Sequence, residues 1–203
     1  WSWPKLSNVR SLDQIIEAEE QTFLRRVPKS VALHERASLS IPGGVPSSWA
    51  SSRPTPVWVS HGEGAYVWDV DDNQYIDLHA GYGANIVGHA NPSVVAAVQK
   101  RVTQGTHFAQ PTPDSIVVAE ELSRRFGLPQ WRFCNSGTEA TMDAVHLMRA
   151  ITGRDLIIKV EGSYNGHHDS VAISIFRSAQ ELGPADKPWL TPGAGIPRHR
   201  RFR

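Results

Sequence analysis

Three consecutive residues at the start of a helix carry the first sign of chemistry in this sequence. Ser136 is a good N-cap residue and Glu139 stands three positions later, which is the spacing of a capping box. A helix N-terminus offers unpaired N–H groups and the positive end of the helix dipole, and Gly137 lets an anion approach the backbone. Thr138 adds a second hydroxyl donor. Ser136, Gly137 and Thr138, called the anion cup below, therefore predict a phosphate site, although this local pattern alone is more often an ordinary helix start.

The elements around the anion cup predict how it is positioned. The short apolar run Trp131–Cys134 favours a central strand directly before the cup, and Asp155–Glu161 favours a second strand. In open α/β sheets ligands collect beyond the carboxyl ends of strands, so the turns after these strands are expected to face one crevice. Tyr164 lies in the second turn. The helix after the cup is expected to bury one stripe made of Ala140, Ala144, Leu147 and Ile151.

The N-terminal region predicts a helix followed by a small antiparallel sheet. Ser11 and Gln14 form another capping box, and the helix they open is expected to end before Pro28. Aromatic and β-branched runs separated by turn-forming residues predict an antiparallel meander over Val57–Leu78. Its two turns are expected at residues 61–64 and 71–74.

Helices and strands then alternate along the chain. One helix is expected to open at Asn91–Pro92, another to run from Thr112–Pro113 to Gly127, and a third strand to form at Val171–Phe176. The buried face of the first of these helices is expected to consist of Val95, Val98 and Val102. This alternation predicts an α/β layered domain with at least some parallel sheet. The predicted divisions are 1–90 (helix, loop and meander), 91–183 (a partial α/β domain) and 184–203 (a Pro-rich and basic tail).

The sequence resembles a known enzyme family at several separate motifs. These are Ile41–Val45, Trp68–Leu78, Gly88–Pro92, the run Asn135–Ala140 that contains the anion cup, and Glu161–His167. Together they are similar to the N-terminal half of the class III aminotransferases, which are pyridoxal 5'-phosphate (PLP) enzymes of fold type I. Within that family the similarity is greatest to the glutamate-1-semialdehyde aminomutase branch. The resemblance runs from about Glu35 to about Gly195.

The resemblance implies a fold and a cofactor site. The fold is the three-layer α/β/α large domain of fold type I, incomplete in this chain and preceded by an N-terminal helix and a β-meander. The anion cup is expected to hold the PLP phosphate, and the ring of Tyr164 is expected to stack on the pyridine ring, as the matching aromatic does in the family. Asn165 also falls in this cofactor site, where the family often has histidine.

The substrate side of the site departs from the aminomutase pattern. Tyr82 matches a position near the substrate pocket where aminomutases tend to carry tryptophan, although simple packing explains a tyrosine there equally well. In aminomutases the loop after Gly-Gly-Val carries an arginine that meets the substrate carboxylate. The position aligned without gaps here is Ala50, and Arg53 reaches it only through an offset. This departure weakens the aminomutase assignment more than the family assignment.

The Schiff-base lysine of the family has no counterpart in this chain. The lysines present are Lys5, Lys29, Lys100, Lys159 and Lys187, and none stands in the family's Schiff-base motif. No catalytic residue is therefore assigned, and the chain alone is expected to be inactive. The resembled family would also continue for at least as many residues beyond Arg203, so a fragment is expected.

The resemblance implies transfer of an amino group on an amino acid or amino aldehyde through PLP. It also implies a small-molecule amino donor and acceptor and a homodimeric full-length enzyme. Whether the reaction is that of an aminotransferase or an aminomutase stays open. The alternatives are a catalytically silent truncated product that serves as an interaction partner, and a phosphate-binding module without PLP. The downstream coding region or a cofactor absorbance scan would separate them.

Composition excludes several other classes of function. With 203 residues, 40% of them hydrophobic, and a net charge of +1, the chain has the composition of a globular domain and not that of a nucleic-acid binder. Cys134 is the single cysteine, so no intrachain disulfide forms, and a cytoplasmic location is expected. No apolar run approaches the roughly 20 residues that span a bilayer.

Adjacent histidines point apart, so His167-His168-Asp169 is not expected to bind a metal. The basic run Arg198–Arg203 is expected to be solvated.

Overall fold

The computed structural model describes residues 11–175, 177–187, 189–191 and 196. The chain forms two compact units, Trp1–Ala109 and Gln110–Arg203. Each unit is described by itself below. The tail Arg198–Arg203 lies outside the described residues, and the sequence-based division at residues 90/91 and 183/184 stays a prediction.

Two helices open the first unit. Helix α1 spans Leu12–Arg26, and Ser11 and Gln14 form the predicted capping box, with N–O distances of 3.2 and 2.9 Å. Pro28 ends α1, as expected, but it also stands at the first turn of helix α2, which spans Pro28–Ser38 and was not predicted. Proline suits that position because the first N–H groups of a helix have no intrahelical partner. Val27 between the two helices is fully buried.

The predicted antiparallel meander is confirmed, with one turn shifted. Strands β1 (Val59–Glu63), β2 (Tyr66–Asp69) and β3 (Gln74–Ile76) pair in the order β1–β2–β3. The first turn is Gly64–Ala65 and not residues 61–64, because His61, Gly62 and Glu63 pair with Trp68, Val67 and Tyr66. The second turn lies between β2 and β3, where it was expected.

A fully buried carboxylate organises the second turn. The oxygens of Asp69 accept hydrogen bonds from the backbone N–H groups of Asp71 and Asn73, at 2.9 and 2.8 Å. They also accept from Asn73 Nδ2 and the Tyr75 hydroxyl, both at 2.9 Å. Burial by itself would raise the pKa of Asp69, but these hydrogen bonds outweigh it and hold that pKa below its ordinary value. The carboxylate therefore stays charged and fixes the turn.

The same turn ties the helices to the sheet. Asp71 accepts hydrogen bonds from the backbone N–H groups of Lys29 and Ser30, at 2.7 and 3.0 Å, so it caps the start of α2. Asn73 Nδ2 also donates to the carbonyl oxygen of Arg26 at the end of α1, at 2.9 Å. A polar network around one turn thus links the end of α1 and the start of α2 to the sheet.

The remaining helices of the first unit position the segment around Tyr82. Helix α3 is a single turn, Ala80–Gly83, and helix α4 spans Pro92–Val102 with the predicted Asn91 cap. Two single 3-10 turns, Pro42–Gly44 and Ser48–Ala50, lie in the preceding loop. The predicted buried face of α4 is wrong for this structure, since its three valines are 38–59% exposed. Within the described residues nothing covers that apolar face.

The regular secondary structure described for the second unit is helical. Helix α5 spans Pro113–Phe126 and ends at the left-handed Gly127, as predicted, and a short helix α7 spans Ala179–Leu182. Helix α6 spans Gly137–Thr152 and starts at the predicted capping box. The predicted buried stripe of α6 is exposed, and the buried residue is Val145 instead. The side of α6 that packs in this chain is therefore not its most apolar side.

The three strands predicted for the second unit do not form ladders. Trp131–Cys134 and Asp155–Val160 have no regular secondary structure, and within 171–175 only Ile173 makes a bridge; Phe176 lies outside the described residues. A strand exists through hydrogen bonds to a neighbour, and the described part of the chain supplies no partner strand for these segments. Ile158 and Val160 consequently stand open to solvent.

Among the described residues, none of the helices has the length and apolar character needed to cross a membrane.

Candidate functional site

Some of the backbone N–H groups expected at the anion cup already donate hydrogen bonds within the capping box at the start of α6. Ser136 Oγ accepts a hydrogen bond from Glu139 N at 3.2 Å. The Glu139 carboxylate accepts in return from the backbone N–H groups of Ser136 and Asn135, at 3.1 and 2.7 Å. Two N–H groups near the cup are therefore already paired with a carboxylate.

Three donors at the anion cup still suit a phosphate. In the described structure the backbone N–H groups of Gly137 and Thr138 have no hydrogen-bond partner, and Ser136 Oγ keeps its own proton because it acts as an acceptor for Glu139. Apart from its chain neighbours and the backbone of its own helix, no described atom lies within 4 Å of the position that a Cβ on Gly137 would take. An anion can thus reach these N–H groups at the positive end of a 16-residue helix. The arrangement fits a phosphate group.

The turn after the second predicted strand packs against the start of α6. Gly166 has φ +103°, and a Cβ there would lie 2.9 Å from Thr141 Oγ1 and 3.2 Å from Thr138 Cα. A larger residue would push the turn off the helix, so glycine is required for this close approach. The Gly162–Gly166 turn thus lies against the anion cup, and a crevice shared by the two turns stays a prediction.

Two histidines fix that turn to the helix, as loop histidines with hydrogen-bond partners. His167 Nδ1 lies 3.2 Å from Thr138 Oγ1, and His168 Nε2 lies 3.4 Å from Thr141 Oγ1. Burial, and next the charge of His146, lowers the pKa of His168, so its imidazole is neutral at neutral pH. The threonines at helical spacing and the histidine pair are the sequence signal that could have predicted these contacts. No cluster of three or more metal-ligating side chains occurs in the part of the chain that the structure describes.

Tyr164 and Asn165 lie in this docked turn. Ser163 Oγ lies 2.6 Å from Val160 O and 2.9 Å from Asn165 Oδ1, and its single proton is shared between these two acceptors, so the amide oxygen of Asn165 serves the turn itself. The side chain of Tyr164 is half-exposed. A partly open aromatic ring on a turn that packs against the anion cup can stack on a flat ring whose phosphate the cup holds.

Tyr82 belongs to the first unit. Its hydroxyl donates to Trp49 O at 3.2 Å, and its ring packs edge-on against His79, with ring centroids 4.0 Å apart. The side chain is nevertheless 66% exposed. Tyr82 is therefore tied to the Ser48–Ala50 turn, which contains the position where the resemblance would place a substrate-binding arginine, while much of its surface stays available.

Lys159 is the lysine nearest to these turns in sequence. Burial lowers its pKa, and its Nζ donates to the neighbouring Val160 O at 3.3 Å. It lies in the segment before the turn, which has no regular secondary structure, so the strand predicted around it does not form. Nothing in its geometry marks it as a nucleophile.

Comparison with known proteins gives a consistent family. The family model for class III aminotransferases matches residues 48–185. The glutamate-1-semialdehyde 2,1-aminomutase of Polynucleobacter necessarius is 46% identical over 176 residues, which are 85% of this chain and 40% of that protein. The enzyme of the same name from Rhodopirellula baltica is 40% identical over 171 residues, or 82% of this chain and 39% of that protein.

Solved structures with the same fold include both aminomutases and transaminases. An omega-transaminase from Sphaerobacter thermophilus superposes with a TM-score of 0.79 at 38% identity, over 86% of this chain and 40% of that one. A glutamate-1-semialdehyde aminomutase from Pseudomonas aeruginosa PAO1, in complex with PMP, gives a TM-score of 0.78 at 30% identity, over 91% and 39%. The chain thus spans about two fifths of the length of the relatives it matches.

Proposed function

This chain belongs to the class III aminotransferase family, and on that premise we propose that it forms the phosphate-binding and ring-stacking part of a PLP-dependent enzyme that transfers amino groups. The observation that carries the proposal is the contact between two turns. The anion cup, with open N–H groups at Gly137 and Thr138, is touched by the turn that bears Tyr164. One turn offers donors for a phosphate and the other an aromatic face for a ring, which is what a phosphorylated pyridine requires.

The residues of the anion cup have distinct roles in this proposal. The N–H groups of Gly137 and Thr138 and the hydroxyl of Ser136 donate to the phosphate oxygens, and the dipole of α6 favours their negative charge. Glu139 does not touch the phosphate, because its carboxylate is held on the backbone of Asn135 and Ser136. It keeps the helix start in place for the cup.

PLP supplies, when bound, a pyridine ring that takes up the electron pair released at a substrate carbon. The ring of Tyr164 orients this group from one face and shields that face from water. Asn165 supports the same turn through its hydrogen bond from Ser163. Tyr82 is proposed to line the substrate pocket with its exposed face.

The substrate is proposed to be an amino acid or amino aldehyde, and the full-length enzyme is proposed to be a cytoplasmic homodimer. The identity to the omega-transaminase, 38%, lies between the 30% and 46% found for two relatives with aminomutase names. Amino transfer within one molecule and transfer between two molecules are therefore both retained. Turnover of the full-length protein with and without an added amino acceptor separates them, since only intermolecular transfer needs the acceptor.

The test on the 203-residue chain uses its lysines. Purified protein is incubated with PLP, reduced with borohydride and mapped for adducts. We expect no turnover and no single stoichiometric lysine adduct, because none of the five lysines stands in the family's Schiff-base motif. One stoichiometric adduct on a single lysine, accompanied by turnover, would contradict the assignment and place the catalytic residue within this chain. If the full-length protein that contains this chain does not bind PLP, the alternative of a catalytically silent interaction partner would be favoured instead.

A further inference from the structure

Asp77 forms the centre of a polar cluster in the first unit that the proposed function does not use. Its Oδ1 accepts hydrogen bonds from His79 N at 3.0 Å and Ala80 N at 2.9 Å. Its Oδ2 lies 2.7 Å from His89 Nε2. The side chains of Asp77 and His89 are 15% and 29% exposed, so the pair is mostly shielded from solvent. It lines an open cavity of about 400 Å³.

The position of His89 is fixed by the first hairpin. Its backbone N–H and C=O pair with Gly64, with N–O distances of 2.8 and 2.9 Å. A Cβ at Gly62 would lie 2.6 Å from His89 Cγ, so the ring packs directly on the backbone of β1. The backbone and ring of His89 are thus fixed in position, and His89 holds the Asp77 carboxylate through their hydrogen bond.

The segment that Asp77 caps adopts an unfavourable backbone conformation. Helix α3 has φ +47° at Ala80, +58° at Gly81, +61° at Tyr82 and +80° at Gly83. Four consecutive residues are therefore left-handed, and two of them carry side chains for which this region is disfavoured. Such a turn persists only where surrounding contacts hold it.

The left-handed turn determines where the ring of Tyr82 stands. In this conformation Tyr82 N donates to His79 Nδ1 at 3.2 Å, and the Tyr82 hydroxyl reaches Trp49 O. A right-handed turn would redirect the Cα–Cβ bond of Tyr82 and break both contacts. The direction of the ring is consequently set by the backbone that Asp77 caps.

We propose that Asp77 and His89 are positioning residues, which hold α3 in its left-handed conformation and so present Tyr82 to the substrate. This inference rests on the proposed function, because it gives Tyr82 its role in the substrate pocket. Neither residue touches the substrate in this account. Both act through the backbone of His79 and Ala80. The low pKa of the Asp77 carboxyl, held down chiefly by the hydrogen bond with His89, agrees with a carboxylate that stays charged.

The first experiment measures amide hydrogen exchange of residues 79–84 in the 203-residue chain. D77N is expected to raise the exchange rate of this segment at least tenfold, because the charged acceptor for two N–H groups is lost. The control is D72N, since the Asp72 side chain is 86% exposed and pairs only with Lys29; it should leave the segment unchanged.

A rescue variant separates positioning from general destabilisation. Glycine adopts positive φ without strain, so A80G should need the Asp77 cap less. The double variant D77N/A80G is expected to recover most of the lost protection. Equal exchange in D77N and the wild type, or a double variant no better protected than D77N, would overturn the proposal.

The second experiment measures kinetics in the full-length enzyme. D77N and H89A are expected to raise KM for the amino substrate about tenfold and to leave PLP affinity unchanged. H89Q, which can still donate to Asp77, should fall between H89A and the wild type. An unchanged KM in an active enzyme would refute the positioning role. A wild-type enzyme without turnover would contradict the proposed function, and the exchange comparison would then decide the conformational claim by itself.

Discussion

The two units of this chain differ in whether their strand-forming sequences pair into a sheet. In the first unit β1, β2 and β3 follow each other through short turns, so each strand has its neighbour within a few residues. In the second unit Trp131–Cys134 and Asp155–Val160 have equally apolar sequences and no ladder in the described structure. The difference teaches that an antiparallel meander carries its partners in its own sequence, whereas strands separated by helices depend on partners elsewhere.

Fully buried side chains occur in the first unit, whereas apolar helix faces are exposed in both units, on α4 and on α6. Asp69, Val27 and Ser30 of the first unit are fully buried and meet in or near the network between turn and helices. In the second unit the apolar stripe of α6 is exposed, including Leu147 and Ile151, and Ile158 is fully exposed. Apolar surface of this kind favours association with another protein surface, since its burial is worth about 25 cal/mol per Å².

The largest effect is expected in the first unit, from D69A. This variant removes a buried carboxylate that accepts four hydrogen bonds and leaves their donors without an acceptor. We expect the free energy of unfolding of this unit to fall by about 3 kcal/mol. Urea denaturation followed by tryptophan fluorescence measures it, with D72N as the matched control. A loss below about 1 kcal/mol would mean that the network does not hold the unit together.

A smaller effect is expected from two neighbouring positions on α6. Val145 is 6% exposed and Leu147 is 61% exposed. V145A should cost about 2 kcal/mol through lost burial, and L147A should change the free energy of unfolding by less than about 0.5 kcal/mol. Urea denaturation of both variants of the 203-residue chain tests this. A larger cost for L147A than for V145A would show that the predicted apolar stripe is covered after all.

The smallest effect, about 1 kcal/mol, is expected from Y75F. Burial, together with the hydrogen bond to the Asp69 carboxylate, raises the pKa of Tyr75 to about 12, from 10.0. The folded state therefore keeps a proton that the unfolded state loses. Tyr75 contributes its stabilisation fully below about pH 10, and this contribution is lost as the pH rises towards 12. The stability difference between wild type and Y75F should shrink over that range in urea midpoints. A difference independent of pH would contradict the hydrogen bond.

The sequence was informative wherever structure depends on near neighbours. The capping boxes at Ser11 and Ser136, the Asn91 cap and the Gly127 helix end were all predictable, because each involves residues within four positions. The meander was also predictable, because its paired residues lie within ten positions of each other, although the glycines at 62 and 64 led to a first turn predicted too early.

What the sequence could not show depends on contacts distant along the chain. Helix α2 escaped prediction because Pro28 is equally typical of a helix end and a helix start. The buried faces of α4 and α6 were wrong because apolar periodicity indicates which side can be buried, not whether a partner is present. At the site, Thr138–His167 and the Gly166 contacts join residues 25 or more positions apart, and only the fold reveals them.

The anion cup is tested most directly by PLP titration of the full-length protein carrying G137V. The space around a Gly137 Cβ is empty, and φ there is not in the left-handed region, so the fold should tolerate valine. Its side chain would occupy the path of the phosphate to the N–H groups of Gly137 and Thr138. A150V, at an exposed position of the same helix outside the predicted apolar stripe, is the matched control for a β-branched residue. We expect G137V to weaken PLP affinity at least tenfold with an unchanged melting temperature, while A150V binds as the wild type does. Equal PLP affinity in G137V and the wild type would contradict the claim that this helix start holds the phosphate.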